Sequence, residues 1–146
     1  MKIVLTPLLL FLAATHAQAA GRDEIVGPVE AQVIRVIDGD TLLVEARPWP
    51  QQKVEVYVRI RGIDTPELRS SCASEREAGE AARLALEKLA TASMTVQLNR
   101  ISGDKYFGRV VADVTLADGL QPAEHLLLAG LAVSYDGGRK AQTGCR

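Results

Sequence analysis

Three early strand-like runs constrain this chain more than any other feature. Residues 29–37 (VEAQVIRVI) and 53–63 (KVEVYVRIRGI) alternate with a period of two, the first rich in β-branched side chains, and 40–46 (DTLLVEA) returns from a turn between them. Each is therefore read as a strand. Asp38-Gly39 supplies that hairpin turn, and the prolines of RPWPQQ mark a loop before 53–63. The period then changes. Ala78, Ala82, Leu86, Leu89 and Ala90 recur at helical spacing to about residue 92, behind Ser74-x-x-Glu77, which reads as a capping box. The intervening Arg76, Glu80, Arg83, Glu87 and Lys88 read as its solvated face. Strands resume at 94–100 and 108–116, Asp118-Gly119 turns the chain, and Pro122 opens a short helix that Gly130 stops. The expected fold is α+β and mainly β. It is a five-stranded barrel of the OB type, with a helix after the third strand and a short helix after the fifth. Gly62 is a candidate bulge.

The 146 residues suffice for one domain, and aromatics make up only 4%, so the core is expected from Val, Ile, Leu and Ala. Met1-Lys2, an apolar run from Ile3 to Ala14 and Ala17-Gln18-Ala19 read as a signal peptide over 1–19. The run is shorter than a membrane span requires. Residues 20–28 read as a mobile lead-in and 29–146 as the domain. The expected product is secreted or periplasmic, with no membrane attachment after cleavage, and a monomer. In an oxidising compartment an even pair of cysteines usually closes, so a Cys72–Cys145 disulfide is expected.

Charge and metal-ligand counts narrow the chemistry. Seventeen basic and 18 acidic residues give a net charge of −1, which argues against nucleic-acid binding by bulk charge and leaves a local basic patch. His16 falls in the signal segment and leaves only His125, and two cysteines cannot build an all-cysteine zinc site. A metal, if used, is a hard cation on carboxylate oxygens. Three islands carry the candidates: Ile37-Asp38-Gly39-Asp40-Thr41, Arg59 through Glu67 (RIRGIDTPE), and Lys105-Tyr106-Phe107-Gly108-Arg109. Asp40, Asp64 and Glu67 stand at strand ends or turns. Two carboxylates and a turn carbonyl make a cage for one divalent ion, a third carboxylate serves as general base, and arginines from two strands clamp a phosphodiester. Arg59 and Asp64, five residues apart, share a site only if the strand bends, with Gly62 the candidate.

In this order and around this strand–helix pattern, the islands resemble the thermonuclease (staphylococcal nuclease-like) family, over roughly residues 29–135. Ala117-Asp118-Gly119, Glu124 and Gly130-Leu131-Ala132 match as well. The resemblance implies a secreted bacterial, calcium-dependent endonuclease that cuts DNA and RNA to 3′-phosphate ends. It also implies Ca²⁺ on the Asp40 and Asp64 carboxylates and the Thr65 carbonyl, Glu67 as general base, and Arg59 and Arg109 on the phosphate. Lys105, Tyr106 and Tyr135 resemble substrate contacts, and Asp38 a neighbour of the ion. Arg61, Arg139 and Lys140 are further candidate phosphate contacts. The family's usual Lys-Tyr-Gly-Arg is interrupted here by Phe107, so either ring can stand for the family's tyrosine. The alternative function is an OB module that binds single-stranded nucleic acid without cutting it; a secreted OB domain for protein or sugar ligands would leave the paired acids and arginines unexplained.

Overall fold

The computed structural model describes residues 23–138 and Cys145. The expected signal segment (1–19), residues 20–22, Arg139 and Lys140 lie outside the described residues. The elements run β1 (Glu24–Ile25), β2 (Val29–Asp38), β3 (Thr41–Ala46), β4 (Val54–Ile60), β5 (Gly62–Asp64), α1 (Ala73–Ala92), β6 (Thr95–Gly103), β7 (Arg109–Leu116), α2 (Pro122–Leu128) and β8 (Val133–Tyr135). Strands pair in the order β6-β2-β3-β4-β7, and β7 returns to β6, which closes a five-stranded barrel. Only β4–β7 is parallel. The expected OB architecture is therefore the observed one.

The core is aliphatic, as the scarcity of aromatics requires. Leu42, Val44, Val58, Ile60, Val96, Leu98 and Leu126 are at most 1% exposed. Alternation is lost in β3, where Thr41 through Val44 are all buried, and where the chain bends. The third predicted strand breaks at Arg61, and Gly62 turns with φ +85° into β5, which leaves the barrel to pair with β8. Strand β6 outruns its predicted end because a bulge between Asn99 and Ser102, with Arg100 at φ +48°, carries pairing on to Gly103.

Helix α1 departs from its predicted pattern in two places. Its N-cap is Cys72, without a side-chain cap, so Ser74 and Glu77 form no capping box. Ser70 serves instead: its hydroxyl accepts the Cys72 N–H at 3.1 Å and donates to Glu75, while Ser74 Oγ lies 3.2 Å from Cys72 Sγ. The buried stripe runs through Gly79, not the exposed Ala78. A Cβ at Gly79 would stand 2.7 Å from the Pro66 carbonyl oxygen, and one at Gly39 would stand 2.6 Å from the Ala82 Cβ. The helix thus rests directly on the Pro66–Glu67 segment and on the β2–β3 turn. Its solvated face is as expected, with Arg83 paired to Glu80 and Glu87. The Cys72–Cys145 disulfide is present and joins the start of α1 to the end of the chain across 73 residues of sequence. Among the described residues no helix is long and apolar enough to cross a membrane.

Two stability outcomes follow from these contacts. Ala for Gly in an exposed helix interior normally gains about 1 kcal/mol. At Gly79 the sign should reverse, because overpacking against backbone costs about 1–3 kcal/mol, measurable by urea unfolding. A Gly79→Ala protein more stable than the parent would contradict the close packing. Reduction of the disulfide should lower the urea midpoint, since a loop of this length restricts the unfolded chain by about 4 kcal/mol. Two free thiols in the denatured, unreduced chain would exclude the bridge.

Candidate active site

The β2–β3 turn delivers the most buried charge. Asp38 Oδ1 accepts the Asp40 N–H at 3.1 Å, which fixes the turn and points Asp40 into the barrel end, where it is 2% exposed. Its Oδ1 accepts the Thr41 hydroxyl at 2.9 Å and Arg59 Nη1 at 2.6 Å; its Oδ2 accepts the Thr65 N–H at 3.2 Å. Arg59 reaches this point because β3 and β4 register Thr41 opposite Arg59.

The bend at Gly62 then brings Asp64 back toward the strand it has left. Arg59 Nη2 donates to Asp64 Oδ1 at 2.8 Å and to the Ile63 carbonyl at 3.2 Å. One guanidinium therefore joins two carboxylates that a flat strand would separate. Tyr135, paired with Gly62 across β5–β8, lies with its ring centroid 5.4 Å from the Arg59 guanidinium carbon, and its hydroxyl donates to the Gly138 carbonyl.

Arg109 belongs to a second cluster on the same cavity. It forms an ion pair with Asp104, and its guanidinium lies 4.7 Å from the Tyr106 ring centroid, with the Lys105 ammonium 5.0 Å from that ring. The cavity measures about 1320 Å³ and is lined by Asp40, Arg59, Thr65, Glu67, Lys105, Tyr106, Arg109 and Tyr135. Glu67 is exposed on its wall. Of the residues expected at the site, Asp40, Arg59, Thr65, Glu67, Lys105, Tyr106, Arg109 and Tyr135 thus face one space, and Asp64 meets it through Arg59.

Arg61 is also bonded within the fold. Its Nη2 donates to the carbonyls of Arg100 and Val111 and to Ser102 Oγ, and its Nε faces Asp113 at 3.4 Å. The bulge in β6 supplies the Arg100 carbonyl and the Ser102 hydroxyl, and β7 supplies Val111 and Asp113, so Arg61 braces the two strands while it also lines the cavity. Sequence reasoning missed Arg69, an exposed cation at the cavity rim two residues beyond Glu67. It also missed how Gly39 and Gly79 seat the two acidic segments on α1. A glycine in an otherwise helical stripe was the available sign of the latter.

Burial pushes the Asp40 carboxyl above its ordinary value of 3.8, and the Asp38 charge adds to this; Arg59, the Thr41 hydroxyl and the Thr65 N–H only partly offset it. Burial also works against the charge on Arg59, but Asp40 and Asp64 outweigh it and hold the guanidinium protonated. The donors at this point are all oxygen, and they already balance one positive charge. Among the described residues no three His, Cys, Asp or Glu side chains converge. A cation here would be completed by backbone carbonyl and water, an oxygen set suited to a hard ion of flexible geometry.

A family model described as staphylococcal nuclease homologue matches residues 57–144, more than half of the chain. The span includes Arg59, Asp64, Thr65, Glu67, Arg109 and Tyr135, while Asp40 precedes it. A comparison with curated proteins gives no match.

The raised Asp40 value has a definite sign. The folded state holds the Asp40 proton more tightly than the unfolded chain, so ionising Asp40 costs folding free energy. The cost is absent below about 3.8 and grows as pH rises through the higher folded value. Asp40→Asn should therefore be more stable than the parent near neutral pH, with the margin narrowing in acid. Thermal unfolding across pH measures it, and an Asn variant less stable throughout would refute this reading of the charge.

Proposed function

The chain belongs to the staphylococcal nuclease homologue family, and from that membership and the site geometry we propose that it is a calcium-dependent endonuclease acting on DNA and RNA. The products are 3′-phosphate ends, as the thermonuclease resemblance implies. One observation carries the reading above the others. Two carboxylates meet at Arg59 in a cavity that Glu67 and Arg109 also line.

The roles follow from position and chemistry. The carboxylates of Asp40 and Asp64 and the carbonyl of Thr65 would hold the ion. When bound, Ca²⁺ supplies positive charge next to the phosphate oxygens. Two carboxylates suit Ca²⁺, which accepts irregular oxygen sets, better than Mg²⁺, which demands a near-ideal octahedron. Glu67, exposed to solvent on the cavity wall, takes a proton from the attacking water. Arg59 and Arg109 bind equatorial phosphate oxygens and stabilise the charge that develops there. Asp104 and Tyr106 hold Arg109 in place for that task. Lys105 and Tyr135 bind flanking parts of the strand. The disulfide fits work in an oxidising compartment, secreted or periplasmic, by a monomer.

Digestion of DNA and RNA in Ca²⁺, in Mg²⁺ and in chelator tests this directly. Activity should require Ca²⁺. Glu67→Gln should lower kcat by about 10²–10⁴-fold while calorimetric Ca²⁺ binding persists. Full activity in Mg²⁺ with calcium chelated, or a Glu67→Gln enzyme of normal kcat, would overturn the assignment.

A further inference from the structure

Glu67 stands on a stretch without regular structure of its own: residues 65–72, between β5 and α1, form neither strand nor helix. An exposed side chain on such a stretch takes its position from the ties on the backbone around it. On the upstream side the tie is the Thr65 N–H, which donates to Asp40 Oδ2 at 3.2 Å. On the downstream side it is Ser70. Its N–H donates to the Glu67 carbonyl at 3.3 Å and closes a turn over Leu68 and Arg69. Its hydroxyl accepts the Cys72 N–H at 3.1 Å and donates to the Glu75 carboxylate, and its carbonyl accepts Arg76 Nη1 at 2.8 Å.

Ser70 therefore couples the Glu67 peptide to three residues at the start of α1. That end of the helix is itself fixed, because Cys72 is bridged to Cys145. One turn further on, the helix backbone at Gly79 lies so close that an added Cβ would stand 3.2 Å from the Glu67 carbonyl carbon. A helix start needs a side-chain oxygen on one of its free N–H groups, and the Ser70 hydroxyl supplies one at Cys72. Capping asks nothing of the bond to the Glu67 carbonyl or of the bond from Arg76. Those two run back into the loop, and one of them ends on the residue that handles the proton in the proposed reaction. Ser74 makes a useful contrast. It is exposed at the same helix start, with its hydroxyl 3.2 Å from Cys72 Sγ and no bond to the Glu67 segment among the described residues.

We propose that Ser70 is a positioning residue for Glu67, holding the general base where it reaches the attacking water without itself joining the reaction. The inference rests on the nuclease reading and adds a residue to it. A general base works only within hydrogen-bond reach of the proton it takes. A misplacement of about 1 Å can cost about 10²-fold in rate. The expected ligands of the ion and the phosphate-binding arginines lie upstream of this turn or on another strand. Loosening Ser70 should thus slow the proton transfer and spare binding.

Steady-state kinetics on a DNA strand in Ca²⁺ test this with the full chain, each variant assayed well below its own Tm. Ser70→Ala should lower kcat about 10–10²-fold, with KM and calorimetric Ca²⁺ affinity unchanged. Arg76→Ala removes an exposed bond to the Ser70 carbonyl and leaves the hydroxyl in place, so it should lower kcat by less. Ser74→Ala should leave kcat unchanged. The decisive reading is a double-mutant cycle: in a Glu67→Gln background, Ser70→Ala should have no further effect on kcat, because the carboxylate it positions is already gone. An unchanged kcat in both Ser70→Ala and Arg76→Ala, an equal fall from Ser74→Ala, or an equal fall with and without Glu67→Gln would overturn the positioning role. A parent that cuts no strand in Ca²⁺, or a Glu67→Gln enzyme of normal kcat, would overturn the nuclease reading and this inference together. Cutting that depends on Glu67 but not on Ser70 or Arg76 would overturn this inference alone.

Discussion

A single guanidinium neutralises two carboxylates at the end of the barrel, and much of the local structure serves that contact. Asp40 is almost wholly removed from water, and a carboxylate so placed must be paired and hydrogen-bonded or give up its charge. Arg59 supplies the pairing only because β3 and β4 align Thr41 with Arg59. A slip of one residue would send the guanidinium to the opposite face of β4. Gly62 completes the arrangement by turning Asp64 out of the barrel sheet and back toward Arg59. Register, turn and reversal are thus three parts of one electrostatic solution. Even so, burial outweighs the pairing at Asp40 and holds its carboxyl above the ordinary value.

Helix α1 holds this arrangement from behind. Its contribution lies as much in how closely it approaches as in what it buries. Gly79 lets the helix backbone reach the Pro66 carbonyl, and Ala82 meets Gly39 in the turn before Asp40. The Asp40 and Glu67 segments are therefore set against one rigid element, so their relative placement does not depend on loop packing alone. The disulfide at Cys72 adds a covalent tie at the start of the same helix, which brings the end of the chain to that corner of the molecule. A small barrel with an all-aliphatic core gains most from such ties, because its core alone is modest.

What was readable from the sequence is what depends on period. Alternation in 29–37 and 108–116 and the helical stripe through Leu86 translate directly into elements, because side-chain direction repeats with the backbone. The bend at Gly62 was readable for a different reason: Arg59 and Asp64 make joint chemical sense only across a reversal. Features set by tertiary contact were not readable. Ser74 and Glu77 fit a capping box, yet Cys72 becomes the N-cap and Ser70 takes the bonds. Ala78 fits the apolar stripe, yet Gly79 is buried because backbone lies against it. Arg61 alternates with Arg59 and looks equivalent, but the bulge in β6 and strand β7 each offer it a carbonyl acceptor. At Gly79 and Arg61 the deciding partner lies on another segment of the chain, and at the start of the helix Ser70 competes with Ser74 from within the same short stretch.

The choice between a cutting enzyme and a silent binder turns on the sign of charge where the phosphate would sit. A module that only binds a polyanion gains from cations and aromatic faces, and loses from every carboxylate in its groove. This cavity sets Asp40 and Glu67 on the same walls as Lys105 and Arg109, and Asp64 just behind them. Repulsion from those acids would weaken binding and return nothing, and Asp40 adds a folding cost of its own. In the proposed function an ion would stand between those acids and the phosphate, and Glu67 would handle the proton. Arg59 balances Asp40 and Asp64 in this structure, whereas Arg109 is occupied with Asp104. In the proposed reaction these guanidiniums bind the phosphate, and an ion held on the carboxylates would release Arg59 for it. The acidic lining that would penalise a passive groove is therefore the strongest physical argument for hydrolysis.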